Sequence, residues 1–236
     1  MTEPSNNTDF KRRDVLKALA TVPVFGFFLA NLWRKLSRDE LKRKNLLSDL
    51  VKEKKAPAII SNLSNSKHLN LGLIGYGGRG SHLARGAGFA TKNWTDYTYK
   101  NSKKNKLDKA FPTFMSQEDL NCSLVGVCDL FDINADQGLD ASQNDVRPGG
   151  KPKGIAKRYR DYRDLLSNDE IDAVIVATPD HWHSRITIDA AKAGKHVYCE
   201  KGLTRTFQEA LDVYDAIKET GMILQLGHQN RQVEAN

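Results

Sequence analysis

The sequence is poor in the residues that stabilise very small or fibrous proteins. Its 236 residues include only three cysteines, too few for a disulfide framework, so its stability must come from a packed core. Cys122, Cys128 and Cys199 are expected to be core or strand-end residues. With 39% hydrophobic and 28% charged residues, the composition excludes a collagen, a coiled coil, a knottin and a polytopic transporter. At about 150 residues per domain, the length predicts one or two domains.

The excess of positive charge is confined to the N-terminal part of the chain. The net charge of +7 comes from 36 Lys and Arg against 29 Asp and Glu. Residues 1–70 hold 14 basic and 7 acidic side chains, whereas residues 71–236 hold 22 of each. A nucleic-acid-binding domain carries its basic patch on the folded body. We therefore predict no nucleic-acid partner.

Residues 1–35 have the organisation of an export signal or a membrane anchor. The basic segment KRRDVLK, in which Arg12 and Arg13 are paired, precedes an uncharged stretch over residues 18–33. As a helix this stretch would span about 24 Å, which is short of a hydrocarbon core of roughly 30 Å. A charged region followed by a short apolar region is typical of a secretory signal. KRRDVLK resembles a bacterial twin-arginine signal, with Val15 where that signal usually has Phe.

This resemblance implies export of the folded protein by the twin-arginine machinery and a periplasmic location. No clear A-x-A cleavage site follows the apolar stretch, so residues 14–33 can also remain as an attachment to the inner membrane. Residues 36–67 form a charged segment with two interpretations. It is either a solvated spacer or a juxtamembrane helix held by anionic lipid headgroups.

From residue 68 onward, short apolar runs alternate with helical patterns. We predict strands in HLNLGLIG, SLVGVCDL, IDAVIVATPD, HVYCEKG and MILQLGH, with a further short strand and helix in AKRYRDYRDLLSNDE. Two of the predicted helices end at Gly194 and Gly221. Strands alternating with helices predict an α/β fold, a doubly wound parallel sheet with helices on both faces. Residues 91–121 interrupt this order and are interpreted as a solvated insertion.

The segment GYGGRG has the glycine spacing of a dinucleotide-binding turn. Gly75 permits the tight turn, Gly77 allows close approach of a pyrophosphate, and Gly80 allows the helix to pack on the strand. The phosphates then meet free N–H groups at the helix N-terminus. Asp129 ends the second strand and would accept hydrogen bonds from the adenosine ribose, which favours NAD over NADP. The spacing from Gly80 to Asp129 is 49, which exceeds the usual spacing of about 20 because the insertion lies between them. The alternative role for Asp129 is capping a helix.

Two further strand ends bring chemically active residues to the same edge of the sheet. ATPDHWH places His181 and His183 after one strand, and CEKG places Glu200 and Lys201 after another. Open α/β sheets bind ligands at the carboxyl ends of their strands, so contacts to cofactor or substrate are expected, although the histidines can instead bond helix-end groups. A lysine there can hold a substrate hydroxyl or relay its proton. A zinc site needs further ligands of recognisable spacing, and we predict no metal.

Taken in order, LGLIGYGGRG, VGVCDL, IDAVIVATPDHWH, HVYCEKG and LQLGHQNR resemble the Gfo/Idh/MocA family, the relatives of glucose–fructose oxidoreductase and inositol dehydrogenase. The resemblance implies a Rossmann domain, over residues 68–236 here, that binds NAD and precedes a second α/β domain with an open antiparallel sheet. Thr178, Pro179 and His183 would form the cofactor-side loop. Lys201 would be the lysine of the family's E-K-P motif, near the nicotinamide and the substrate. Glu200 would line the same pocket.

Two departures from the family pattern bear on the predicted function. Gly202 replaces the proline of E-K-P and loosens that loop, and the chain stops at Asn236, where the second domain should begin. We therefore expect the second domain to be absent, in a fragment or in a protein that has lost its catalytic half.

The resulting prediction is an NAD-dependent oxidoreductase acting on a carbinol of a sugar, a polyol or a derivative. This chain would be its cofactor-binding half, inactive alone, with Lys201 and His183 as catalytic residues. One alternative is an NAD-dependent glycosidase of the same family, working by transient oxidation and elimination. The other is a non-catalytic nucleotide-binding module. Assembly into a homo-oligomer is left open.

Overall fold

The computed structural model of the chain describes residues 31–42, 44, 68–148, 150 and 156–229. The chain divides into two compact units, Met1–Ala58 and Ile59–Asn236. In the first unit the described residues are helical, and most of the predicted signal and of the charged segment after it lies outside the described residues. Within the described ranges, no helix has both the length and the apolar character needed to cross a membrane.

The second unit is built on a single sheet of six strands. They are β1 (Leu69–Ile74), β2 (Cys122–Cys128), β3 (Lys157–Tyr159), β4 (Ala173–Val176), β5 (His196–Glu200) and β6 (Leu224–Gly227). Their order in the sheet is β3-β2-β1-β4-β5-β6, and every pair of neighbours is parallel. The strand order reverses direction at β1, as in a doubly wound Rossmann sheet. The predicted fold class is confirmed.

Seven α-helices accompany the sheet in the described part of this unit. They are α1 (Gly78–Gly86), α2 (Lys92–Lys104), α3 (Ala110–Met115), α4 (Asp132–Gln143), α5 (Tyr162–Leu166), α6 (His183–Lys192) and α7 (Phe207–Thr220). A single 3-10 turn, Asp180–Trp182, precedes α6. Gly194 and Gly221 follow α6 and α7 with φ of 73° and 69°, a left-handed conformation that favours glycine at helix ends. Both predicted helix ends are observed.

The sheet is buried on both faces. Successive strand side chains point to opposite sides. Accordingly, Leu73 packs in one core with Ala84 of α1, whereas Ile74 packs in the other with Ile186 of α6. This two-sided burial explains why the strands read as continuous apolar runs in the sequence.

The insertion, residues 91–121, folds into two helices, α2 and α3. The hydroxyl of Thr91 caps α2 by accepting a hydrogen bond from the Trp94 backbone N–H at 3.2 Å. The Trp94 ring packs edge-on against Phe114, with 5.4 Å between ring centroids. The Arg85 guanidinium of α1 lies 5.2 Å from the centroid of the same Trp94 ring. The insertion is therefore a packed helical element and not only a solvated polar segment.

Candidate functional site

The segments that carry the predicted site residues meet along one edge of the sheet. The register pairs Ile74, the last residue of β1, with the last residues of β2 and β4, Cys128 and Val176. Val176 in turn pairs with Cys199, next to the end of β5. The residues that follow these positions are therefore neighbours in space, although they are spread over more than a hundred residues of sequence.

Two glycines of GYGGRG are required by the turn itself. Gly75 has φ of 92°, and a Cβ there would lie 2.8 Å from the carbonyl oxygen of Ala177. A Cβ at Gly80 would collide with the carbonyl oxygen of Gly75. By contrast, nothing described lies within 4 Å of a Cβ built at Gly77 or Gly78. The turn thus leaves open space at the start of α1.

The N-terminus of α1 faces that open space with unused hydrogen-bond donors. Gly77 is the N-cap residue, and no side chain in the described structure caps the helix. The N–H groups of a first helical turn have no acceptor within the helix. Together with the helix dipole, they favour an anion at this position. The geometry therefore fits a pyrophosphate held against Gly77 and Gly78.

Asp129 joins the end of β2 to the glycine turn. Its Oδ2 accepts a hydrogen bond from the Tyr76 backbone N–H at 2.7 Å, and its Oδ1 accepts one from Phe131 N–H at 2.9 Å. Phe131 is the N-cap residue of α4, so Asp129 binds one backbone N–H at the start of that helix, as the capping interpretation expects. Asn134 Nδ2 also lies 3.4 Å from each oxygen, so the remaining acceptor sites of the carboxylate are held only by long contacts that a ribose hydroxyl can replace. The ribose contact of Asp129 stays a prediction that this geometry permits.

An ion pair connects α1 to the end of β5. Arg79 Nε donates to Glu200 Oε1 at 2.7 Å, across 121 residues of sequence. The Glu200 side chain is 5% exposed and that of Arg79 is 33% exposed. The Lys201 backbone N–H donates to the other carboxylate oxygen, Oε2, at 3.3 Å. Sequence reasoning included Glu200 but missed Arg79, because the glycine motif assigns no role to its position.

His183 bridges the loops that follow β4 and β5. Its side chain is 1% exposed, with Nε2 2.7 Å from the Thr178 carbonyl oxygen and Nδ1 3.0 Å from the Gly202 carbonyl oxygen. This placement suits a positioning role for His183. The hydroxyl of Thr178 is buried and has no hydrogen-bond partner among the described residues. A polar group without a partner, beside the glycine turn, fits a loop that completes its hydrogen bonds with a cofactor.

The remaining predicted site residues lie on the surface of the same edge. Lys201 and Pro179 are exposed, and the peptide bond between Lys201 and Gly202 is cis. His181 is also exposed, 3.8 Å from an Asp180 carboxylate oxygen. In the described part of the chain, no group of three His, Cys, Asp or Glu side chains could hold a metal ion.

Burial keeps the Tyr76 phenol and the thiols of Cys128 and Cys199 neutral. Desolvation raises the pKa of the Tyr76 phenol to about 12 and raises the pKa of the Cys128 and Cys199 thiols to about 12. All three cysteines are buried and free, as expected for core residues. These groups therefore do not exchange protons near neutral pH, which leaves Lys201 as the exposed proton-transfer candidate of the predicted set.

Comparison with known proteins identifies the family. The sequence profile of the Gfo/Idh/MocA family, described as an oxidoreductase family with an NAD-binding Rossmann fold, matches residues 69–228, more than half of the chain. The chain belongs to this family. Membership in the Gfo/Idh/MocA family also confirms the prediction of NAD as the cofactor.

Individual Gfo/Idh/MocA relatives match shorter parts of the chain. It is 38% identical over 82 residues to a levoglucosan dehydrogenase of Pseudarthrobacter phenanthrenivorans, covering 35% of this chain and 21% of the relative. It is 35% identical over 97 residues to a glycosyl hydrolase family 109 protein of Shewanella baltica, covering 41% of this chain and 21% of the relative.

The fold is shared with solved structures. The myo-inositol 2-dehydrogenase from Lactobacillus plantarum superimposes with a TM-score of 0.51 at 23% identity, covering 71% of this chain and 38% of that one. The chain thus spans 21% of the two curated relatives and 38% of the solved structure.

Proposed function

We propose that this chain is the cofactor-binding part of an oxidoreductase that moves a hydride between NAD and a carbinol carbon of a sugar, a polyol or a derivative. The open, anion-favouring start of α1 carries the proposal, because it lies at the edge where the other predicted cofactor contacts converge. The levoglucosan dehydrogenase supports a sugar-like substrate, since it is the more similar of the two curated relatives described.

In this proposal, different residues at this edge of the sheet bind different parts of the cofactor. The N–H groups beside Gly77 and Gly78 hold the pyrophosphate, Asp129 holds the adenosine ribose, and the loop of Thr178 and Pro179 lies along the cofactor. When bound, NAD supplies the group that accepts or returns the hydride. Everything else is positioning and proton transfer by the protein.

Lys201 is assigned the transfer of the substrate's hydroxyl proton. Oxidation of a carbinol to a carbonyl releases a hydroxyl proton, and an exposed lysine at the end of β5 can hold that hydroxyl and relay the proton. The Glu200 carboxylate next to it is engaged by Arg79 and by the Lys201 backbone N–H. His183 joins the loop that carries Lys201 and Gly202 to the loop of Thr178.

Cofactor binding is tested by thermal unfolding of the full chain with NAD, with NADP and without nucleotide. NAD at 100-fold its dissociation constant should stabilise the fold by about 2.7 kcal/mol. Gly77→Ala should abolish that shift and leave the melting temperature of the free chain nearly unchanged, because its methyl fills only open space. Gly86→Ala, at the other end of α1 and also in open space, is the matched control and should keep the shift. A folded chain that NAD does not stabilise would contradict the proposal.

The catalytic assignment is tested in a protein that carries this domain together with a second domain of the family. Lys201→Ala should lower turnover by roughly 100-fold or more, the usual contribution of a proton-transfer group, with NAD affinity retained. Unchanged turnover would remove Lys201 from the mechanism. Release of a glycoside product without net NADH would instead identify the glycosidase alternative.

A further inference from the structure

Two arginines lie beside the predicted ribose position, at the end of the strand next to β2. The last paired residues of β2 and β3 immediately precede Asp129 and Arg160, so these two residues are level with each other at the edge. Arg158, in β3, donates from Nη2 to Oδ1 of Asp132, the first residue of α4. Arg160 Nη2 lies 3.2 Å from the same oxygen. One carboxylate therefore engages both guanidinium groups.

The three side chains differ in exposure, since those of Asp132 and Arg160 are 63% and 72% exposed and only that of Arg158 is largely covered. The Arg158 side chain is 25% exposed, and its Nε is buried without a hydrogen-bond partner among the described residues. The hydrogen bond from Arg158, followed by the charges of Arg158 and Arg160, lowers the pKa of the Asp132 carboxyl. Asp132 is thus ionised at neutral pH, and from the helix side it offsets one of the two positive charges.

The position of Arg158 and Arg160 bears on the choice between NAD and NADP. NADP differs from NAD by a phosphate on the 2′-hydroxyl of the adenosine ribose, the hydroxyl that Asp129 is expected to bind. Recognition of that phosphate needs a free guanidinium near the ribose. The fold brings two guanidinium groups to this place, so Asp129 alone would face a strongly cationic neighbourhood if nothing engaged them.

We propose that Asp132 is a second specificity-determining residue, which disfavours NADP by engaging Arg158 and Arg160. The inference rests on the proposed function of the chain as an NAD-binding domain. Asp129 repels the 2′-phosphate directly, and Asp132 withholds the two cations that would otherwise bind it. Loss of Asp132 converts the same strand end into a phosphate site without any change in the backbone.

The test measures the nucleotide affinity of the full chain. NADH and NADPH are titrated by nicotinamide fluorescence, and adenosine 2′,5′-bisphosphate is titrated by calorimetry as a probe of the 2′-phosphate alone. Asp132→Asn should strengthen the binding of NADPH and of the probe by about tenfold or more, the gain expected from a new charge-assisted hydrogen bond, with NADH affinity little changed. The matched control is Asp136→Asn, which makes the same charge change one turn along α4 at a residue that does not hydrogen-bond to either arginine in the described structure.

The contribution of Arg158 and Arg160 is tested in the chain that carries Asp132→Asn. Adding Arg158→Gln and Arg160→Gln to Asp132→Asn should cancel the gain. An equal gain in Asp136→Asn, a gain that survives loss of both arginines, or no gain at all would each overturn the inference. In all three outcomes NADH binding by the unaltered chain would leave the proposed function standing. A folded chain that binds neither NADH nor NADPH would overturn the proposed function, and the inference with it.

Discussion

At the scale of single residues, the site depends on charges held in place by partners far away in the sequence. Glu200 is almost fully buried, and an ionised carboxylate in that position is strongly disfavoured without a donor. Arg79 supplies the donor from α1 while part of its own side chain stays in water. The geometry around Lys201 therefore depends on a residue inside the glycine motif.

Arg79→Gln should lower the free energy of unfolding by about 1–3 kcal/mol, because the buried carboxylate loses a charge-assisted hydrogen bond. Glu200→Gln in the same chain should restore part of that loss. Denaturant unfolding of the two single variants, the double variant and the unaltered chain measures the coupling. Lys92→Gln, which removes a cation from an exposed ion pair, is the control and should change stability by less than about 0.5 kcal/mol. Strictly additive effects of Arg79→Gln and Glu200→Gln would show that the pair is not coupled.

The residues that local spacing encodes were predictable, and those that depend on distant partners were not. Gly75 and Gly80 have required positions because a turn and a helix start within a few residues of each other. The Arg79 contact joins residues 121 apart, and no local pattern signals it. The role of His183 between two carbonyl groups was equally hidden, since its loop partner at Gly202 follows a different strand.

At the scale of elements, the strands were predictable and α4 was not. A strand buried on both faces is a run of apolar residues, which is visible in any sequence. In α4 the buried positions are small, Ala135, Gly138, Ala141 and Ser142, and they give no apolar stripe. A Cβ at Gly138 would come within 2.7 Å of Val127 Cγ1, so the close approach of helix to sheet itself demands a small residue there. Close packing of α4 on the sheet requires small buried residues, and these do not form the apolar stripe by which a helix is predicted from sequence.

The ends of β2 and β5 make the sheet sensitive to high pH. Burial raises the pKa of the Cys128 and Cys199 thiols from 9.0 to about 12, so the folded chain keeps protons that the unfolded chain releases. The stability contributed by these thiols is complete below about pH 9 and is lost as the pH rises toward about 12. The denaturation midpoint should fall over this range, and it should fall less steeply in Cys199→Ala.

A chemical probe checks the same burial at lower pH. Near pH 8 the native chain should resist alkylation of its cysteines by iodoacetamide, and the unfolded chain should react at all three. Rapid modification of Cys128 or Cys199 in the native chain would contradict the burial on which the alkaline prediction depends.

At the scale of the whole molecule, the two parts of the chain differ in charge. The Rossmann domain, residues 71–236 in the charge count, carries equal numbers of acidic and basic side chains, and the whole excess lies before it. A balanced domain that binds NAD, preceded by a basic and then apolar segment, supports the proposal that the protein is exported after folding around its cofactor.

Replacing both Arg12 and Arg13 by lysine should therefore retain the protein in the cytoplasm, because the twin-arginine route reads the guanidinium pair and not the charge alone. Cell fractionation measures the outcome. Arg34→Lys, a conservative change beyond the apolar stretch, should leave the distribution between fractions unaltered. Unimpaired export of the doubly substituted protein would rule out this route.

The position of β1 in the middle of the sheet affects how the chain folds. Asn70, in β1, donates from its backbone N–H to Asp172 Oδ2 across 102 residues, and β1 gains its two neighbours only from β2 and β4. Parallel pairs need long crossovers and cannot form as local hairpins. A ribosome must therefore release the chain as far as Val176 before β1 is paired on both sides. Folding of such high contact order is slow compared with helical proteins of similar size. Of the six strands of the sheet, β1 is synthesised first, yet it stays without its full set of backbone hydrogen bonds until most of the domain has left the ribosome.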